Sequence, residues 1–109
     1  MRDSQIANAL KRSLVFGAYR GGCDFIPVRQ IGLLRVVTDG SIFSSITDVF
    51  VEESERGKGV GSALMDAAMA SEVGHTYCIL RARPLAQLWY FKWGFRLLDD
   101  SGVMAREPV

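Results

Sequence analysis

Six residues, Arg56-Gly57-Lys58-Gly59-Val60-Gly61, constrain this chain more than any other stretch. Glycine at alternate positions permits left-handed backbone and lets a ligand approach the main chain closely. The stripe that follows, Val60, Ala63, Leu64 and Ala67, has i, i+3, i+4, i+7 spacing. It predicts a helix with Ser62 and Asp66 on the opposite side and Gly74 as its stop. A strand-to-helix turn of this composition suits an anion: successive N–H groups converge, the helix N-terminus adds partial positive charge, and Arg56 and Lys58 add full charges. The plainer alternative is a tight turn whose cations are merely solvated. Spacing excludes the P-loop and the dinucleotide fingerprint, because the order here is G-x-G-x-G and it follows several strands rather than the first.

Such an anion has to be held locally. The 109 residues carry 13 Lys+Arg against 12 Asp+Glu, a net charge of +1, which removes the excess positive charge that nucleic acid or an anionic membrane would require. With 49% apolar residues, the chain fits one domain, residues 1–109, that buries about two-thirds of its unfolded surface. Cys23 and Cys78 form neither a disulfide framework nor a metal-ligand pair, so no metal is expected and a reducing compartment is the default. No apolar stretch approaches the ~18 residues of a membrane span, and the first residues lack the apolar region of a secretory signal. A cytoplasmic location is expected.

Before the glycine turn the pattern is one of strands. Asp3 or Ser4 caps a short helix with Ile6, Ala9 and Leu10 on its apolar side. Residues 14–19 and 32–38 read as strands, and Asp39-Gly40 as a type I′ hairpin turn into a third strand over residues 42–51. Within that strand the apolar phase slips between Ile46 and Val49, as a β-bulge would make it, or as a strand buried on both faces would. After the turn come a strand over residues 76–82 and a helix opened by Pro84, with Leu85, Leu88 and Trp89 on its apolar face before Gly94. Residues 95–98 and 103–106 read as closing strands. Hairpins followed by strand–helix units describe an α/β protein of the α+β type with a mixed sheet.

Two motifs in this order resemble a known family. The segment over residues 51–69, with R-x-x-G-x-G at Arg56, Gly59 and Gly61, is similar to the acetyl-coenzyme-A segment of the GCN5-related N-acetyltransferases (GNAT). Tyr90-Phe91-Lys92-Trp93-Gly94-Phe95 matches that family's Y-x-x-x-G-F ending, and the stretches over residues 32–39 and 48–51 resemble a small bacterial-type subgroup of general acetyltransferases. The resemblance begins near Leu14, leaving the family's first strand and most of its first helix without a counterpart. It implies a GNAT-like sheet, largely antiparallel, with flanking helices. It implies acetyl-CoA as co-substrate, its pyrophosphate on Arg56, Gly57, Lys58, Gly59, Val60, Gly61 and Ser62, and its pantetheine paired like a strand with Val49, Phe50 and Val51.

The implied reaction passes acetyl from the thioester to a primary amine of a small molecule or protein. It needs a base or water path to deprotonate an alkylamine with pKa near ~10, and an acid for the departing thiolate. Tyr90 matches the family's proposed acid; alone, it reads equally as a core aromatic at a helix end. Asp48, beside the expected bulge, is the candidate base, or else ties down its neighbouring turn. Glu52, Glu53 and Glu55 read as a solvated acidic rim, and His75 has no assigned role. Arg83 stands where the family often has an asparagine that helps hold the coenzyme, and it retains donors for a carbonyl or phosphate. Together with the missing first elements, it motivates two alternatives. One is a non-catalytic acyl-CoA-binding module, the other a homodimer whose partner chain supplies the absent strand.

Overall fold

The computed structural model describes residues 3–109. The chain runs α1 (Asp3–Lys11), β1 (Leu14–Arg20), β2 (Arg29–Thr38), β3 (Phe43–Val51), α2 (Val60–Ala70), β4 (Tyr77–Arg81), α3 (Pro84–Tyr90), β5 (Arg96–Leu97) and β6 (Val103–Arg106). The six strands form one sheet in the order β1-β2-β3-β4-β6-β5. Neighbours are antiparallel except β3 and β4, which run parallel. That pair is joined through α2, because a parallel connection needs a crossover.

One face of the sheet builds the core. Leu34 and Val36 of β2, Ile46 of β3, Cys78 and Leu80 of β4 and Met104 of β6 pack with Leu64, Met65 and Ala68 of α2 and with Phe95. Strand alternation sends Val15, Val37, Phe43 and Phe50 to the other face, where they are exposed. Helix α1 has the expected amphipathic pattern, yet none of its residues is buried.

Several expected details differ. Gly40 has φ +76° but Asp39 does not have positive φ, so the β2–β3 connection is not a type I′ turn. Instead the Asp39 carboxylate accepts the N–H groups of Ser41, Ile42 and Phe43 at 2.8, 2.7 and 3.1 Å, closing a longer loop, and β3 begins at Phe43. These bonds hold the Asp39 carboxyl below its ordinary pKa.

Helix α2 buries Leu64, Met65 and Ala68 and leaves Ala63 and Ala67 exposed. Long side chains took the core face, because methionine and leucine gain more by burial than alanine. The helix ends at Ser71 rather than Gly74: the Ser71 hydroxyl donates to Ala68 O at 2.6 Å and accepts from Val73 N at 3.2 Å. Gly74 is needed for a different reason, since a Cβ there would stand 1.9 Å from Met69 O. On α3, Leu85 and Leu88 are 99% and 75% exposed, while Ala86, Trp89 and Tyr90 pack on the core. The expected apolar face was therefore turned by about one residue.

Candidate active site

The site begins where two parallel strands part. β3 and β4 pair only over residues 43–46 and 77–80. On the other side of β3, Arg35 lies opposite Asp48 and Val36 opposite Ile46, so Thr47 is unopposed. This is the expected bulge, and the added twist bends the rest of β3 away from β4. Glu52 N–H returns to Ile31 O at 2.8 Å, whereas Val51 O is reached by Arg56 Nε at 3.1 Å. Alternation then turns the backbone groups of Val49 and Val51 to the free edge.

The chain leaves β3 through a 3₁₀ turn, Glu53–Glu55. Glu55 is 4% exposed and accepts Arg20 Nε at 2.9 and 3.1 Å, with Lys58 Nζ 3.8 Å away. The Arg20 hydrogen bond holds the Glu55 carboxyl below the usual glutamate range, against the opposing pull of desolvation. Glu52 accepts Arg29 Nη1 at 2.7 Å. The acidic residues are thus mostly paired with β-strand arginines rather than forming a solvated rim. Sequence spacing gives no hint of this, since Arg20 and Glu55 are 35 residues apart.

Gly57 and Gly59 both have positive φ, +78° and +84°, and a Cβ on either would have no atom within 4 Å. Gly59 is the N-cap of α2 and supplies no side-chain cap. Among the described residues, none of the N–H groups of residues 57–62 donates to another protein group; the first satisfied one is Ala63 N, which reaches Gly59 O at 3.0 Å. An uncapped helix end over an open glycine turn presents free N–H groups of the kind that can hold an anion. Gly61 serves packing: its Cβ would meet the Trp89 ring at 3.3 Å and Val51 Cγ2 at 3.6 Å.

A groove of about 740 Å³ runs along these parts. Its walls bring together Val49, Phe50, Val51, Arg56, Gly57, Gly59, Val60, Gly61, Ser62, Arg83 and Tyr90. Lys58 does not line it, its ammonium facing Glu55 instead. Glu55, Ala86 and Trp89 also line it. Sequence reading placed Trp89 on a core face only; its closeness to Gly61 becomes visible once α2 and α3 pack.

Tyr90 closes one end. The ring is half-buried, edge-on to Trp89 and Phe95 at centroid distances of 4.9 and 6.1 Å. Burial pushes its phenol above the usual tyrosine pKa, so the proton stays on the oxygen through the neutral range. Asp48 lies outside the first groove but lines an adjoining one of about 490 Å³ that also contains Tyr90 and Arg83. Its Oδ2 accepts Arg35 Nε at 2.7 Å, and Arg35 Nη1 donates to Ser13 Oγ at 2.9 Å. Arg83 is the N-cap residue of α3 without a side-chain cap bond. His75 sits apart, its Nδ1 2.8 Å from Val109 O.

Among the described residues no group of three or more metal-ligating side chains occurs, and no helix is long and apolar enough to cross a membrane.

Comparison with known proteins bears on the fold and the family. A GNAT acetyltransferase domain model matches residues 11–97. No curated protein matches. Among solved structures, a protein assigned to the GNAT acetyltransferases from Xanthomonas campestris pv. campestris is 33% identical, with TM-score 0.73 over 86% of this chain and 63% of its own. An IAA acetyltransferase from Bacillus cereus is 26% identical, with TM-score 0.66 over 90% and 65%. A GNAT-family protein from Streptococcus pneumoniae is 27% identical, with TM-score 0.68 over 89% and 71%. The chain thus spans just under two thirds of the first two. Its mixed six-stranded sheet is the GNAT fold, and with most of its length inside the domain match, the chain belongs to the GNAT acetyltransferase family.

Proposed function

We propose that the chain is an acetyl-CoA-dependent N-acetyltransferase acting on a primary amine. The observation that carries this reading is the meeting of three features in one groove. They are the unsatisfied N–H groups of residues 57 and 59–62, the free β3 edge at residues 49–51, and the protonated Tyr90. The open space at Gly57 and Gly59 fits a pyrophosphate, and Arg56, already turned to the strand edge by Val51 O, adds charge to it. Bound acetyl-CoA supplies an acyl thioester as acetyl donor.

The protein's part is positioning and proton management. An amine nitrogen, once deprotonated, forms the C–N bond to the acetyl carbon while the C–S bond breaks and its electron pair leaves on sulfur. Tyr90 gives its proton to that sulfur and is reprotonated through solvent. Asp48 accepts the proton that the ammonium must lose and passes it to water; the second N–H proton, shed by the nitrogen as the amide forms, goes to solvent and balances the one that reprotonates Tyr90, so one proton is released per ammonium consumed.

The test is thiol release from acetyl-CoA against a panel of amines, polyamines and peptides. Binding in the micromolar range, about −8 kcal/mol, with release only when an amine is added, supports transfer. Binding unaffected by Arg56→Ala would remove the cradle. A second reading, coenzyme binding without transfer, is favoured by the Arg35–Asp48 ion pair at 2.7 Å, which engages the proposed base. Under that reading acetyl-CoA binds and no amine releases thiol.

A further inference from the structure

The open sheet face carries a second groove, of about 410 Å³, lined by Gln30, Gly32, Leu33, Asp48 and Phe50. Its volume is that of a small-molecule site. Its chemistry is unusually restricted. Gln30 turns its amide back, Nε2 donating to Gly32 O at 3.2 Å. Leu33 and Phe50 offer apolar surface, and Phe50 is 56% exposed. The one charged lining group is Asp48, whose side chain is about half exposed. Both of its protein hydrogen bonds, from Arg35 Nε at 2.7 Å and Thr47 Oγ1 at 3.3 Å, go to Oδ2. Oδ1 is left open to a ligand.

Asp48 and Phe50 also line the gap between β3 and β4 that contains Tyr90. One carboxylate therefore borders both the open face and the groove where transfer would occur. The bulge at Thr47 makes this so: it places Asp48 where the strands have just parted.

We propose that this groove is the acceptor site, and that it takes a primary monoamine with an apolar aromatic or aliphatic body. The ammonium pairs with Asp48 Oδ1, and the body lies across Leu33 and Phe50. Charge complementarity selects this class. A polyamine would leave its further cations on apolar surface, since no second carboxylate lines the groove. An amino acid would bring its carboxylate to a groove that no cationic side chain lines, beside the Asp48 carboxylate. The inference rests on the transfer reading for its use of the amine, but the binding itself does not.

Two measurements on the full chain separate the two. Phenethylamine binding, followed by saturation-transfer NMR and titration without acetyl-CoA, should weaken at least about tenfold on Asp48→Asn and about fivefold on Leu33→Ser, the second variant touching only the amine's apolar body and no group assigned a proton. In turnover with acetyl-CoA, phenethylamine or hexylamine should exceed spermidine and phenylalanine in kcat/KM by at least about tenfold. Phenethylamine binding that neither variant changes, or equal or better use of spermidine or phenylalanine, overturns the proposal. Asp48-dependent binding of phenethylamine by a protein that does not bind acetyl-CoA would sink the transfer reading and leave the groove standing. Acetyl-CoA binding without phenethylamine binding does the reverse.

Discussion

Replacing Gly59 by alanine separates the proposed anion cradle from the fold around it. Gly59 has φ +84°, in the left-handed region where an L side chain is strained by about 1–2 kcal/mol. No atom lies within 4 Å of a Cβ built there, so packing adds nothing to that cost. Alanine also restricts the unfolded chain, which returns about 0.4–1 kcal/mol. The net loss is about 1 kcal/mol, a fall in Tm of about 4–8 °C for a domain of this size. Gly40 supplies the control: it has φ +76°, its nearest atoms are the Glu72 carboxylate oxygens at 3.9 and 4.0 Å, and it does not line the groove. Gly40→Ala should therefore cost similar stability and no coenzyme affinity. Gly59→Ala puts a methyl among the free N–H groups of residues 57–62 and should weaken acetyl-CoA binding at least about tenfold, ~1.4 kcal/mol. Thermal unfolding by circular dichroism and titration calorimetry with acetyl-CoA read the two quantities. Equal binding by both variants would mean that the glycine serves the turn alone, and the cradle argument would fail.

Tyr90→Phe keeps the aromatic packing and removes the proposed proton donor, so turnover should fall at least about tenfold with acetyl-CoA affinity changed less than about twofold; steady-state kinetics with unchanged turnover would discharge Tyr90 from the mechanism. Glu55 has a lowered folded-state pKa, so its contribution to stability is fully present above its unfolded value, near ~4.3, and is lost as pH falls through the folded value. Glu55→Gln should thus flatten the acid limb of a Tm-against-pH curve, while leaving the profile above about pH 6 parallel to that of the parent. Phe95→Ala, at a fully buried side chain, should cost about 3–5 kcal/mol in urea unfolding; a loss below about 1 kcal/mol would contradict a single shared core.

The sequence was readable wherever local chemistry determined structure. The slip between Ile46 and Val49 located the bulge because period-two alternation leaves little freedom once one face is buried. Pro84 opened α3 as its fixed φ favours, and the four residues of β6 match the expected strand. What could not be read depends on distant partners. The Asp39-Gly40 pair pointed to a two-residue turn, but the Asp39 carboxylate found three N–H groups and stabilised a wider loop. Leu85 and Leu88 satisfied the helical period as well as Ala86 and Tyr90 do, and only the close approach of α2 decided which side faces inward. The open glycine turn into α2 was legible, whereas the burial of Glu55 was not, because its partner arrives from the end of β1.

The close contact between Gly61 and Trp89 works as a spacer defined by an atom that is missing. Helix α2 carries the N–H groups at one end of the groove and α3 carries Tyr90 at the other, and the 3.3 Å between a virtual Cβ and the indole sets how near they come. A single methyl at position 61 would push α3 outward by a few tenths of an ångström and take the tyrosine with it. The tolerance of the proposed site is therefore recorded at a groove-lining glycine that packs on α3, and variation there would retune reach.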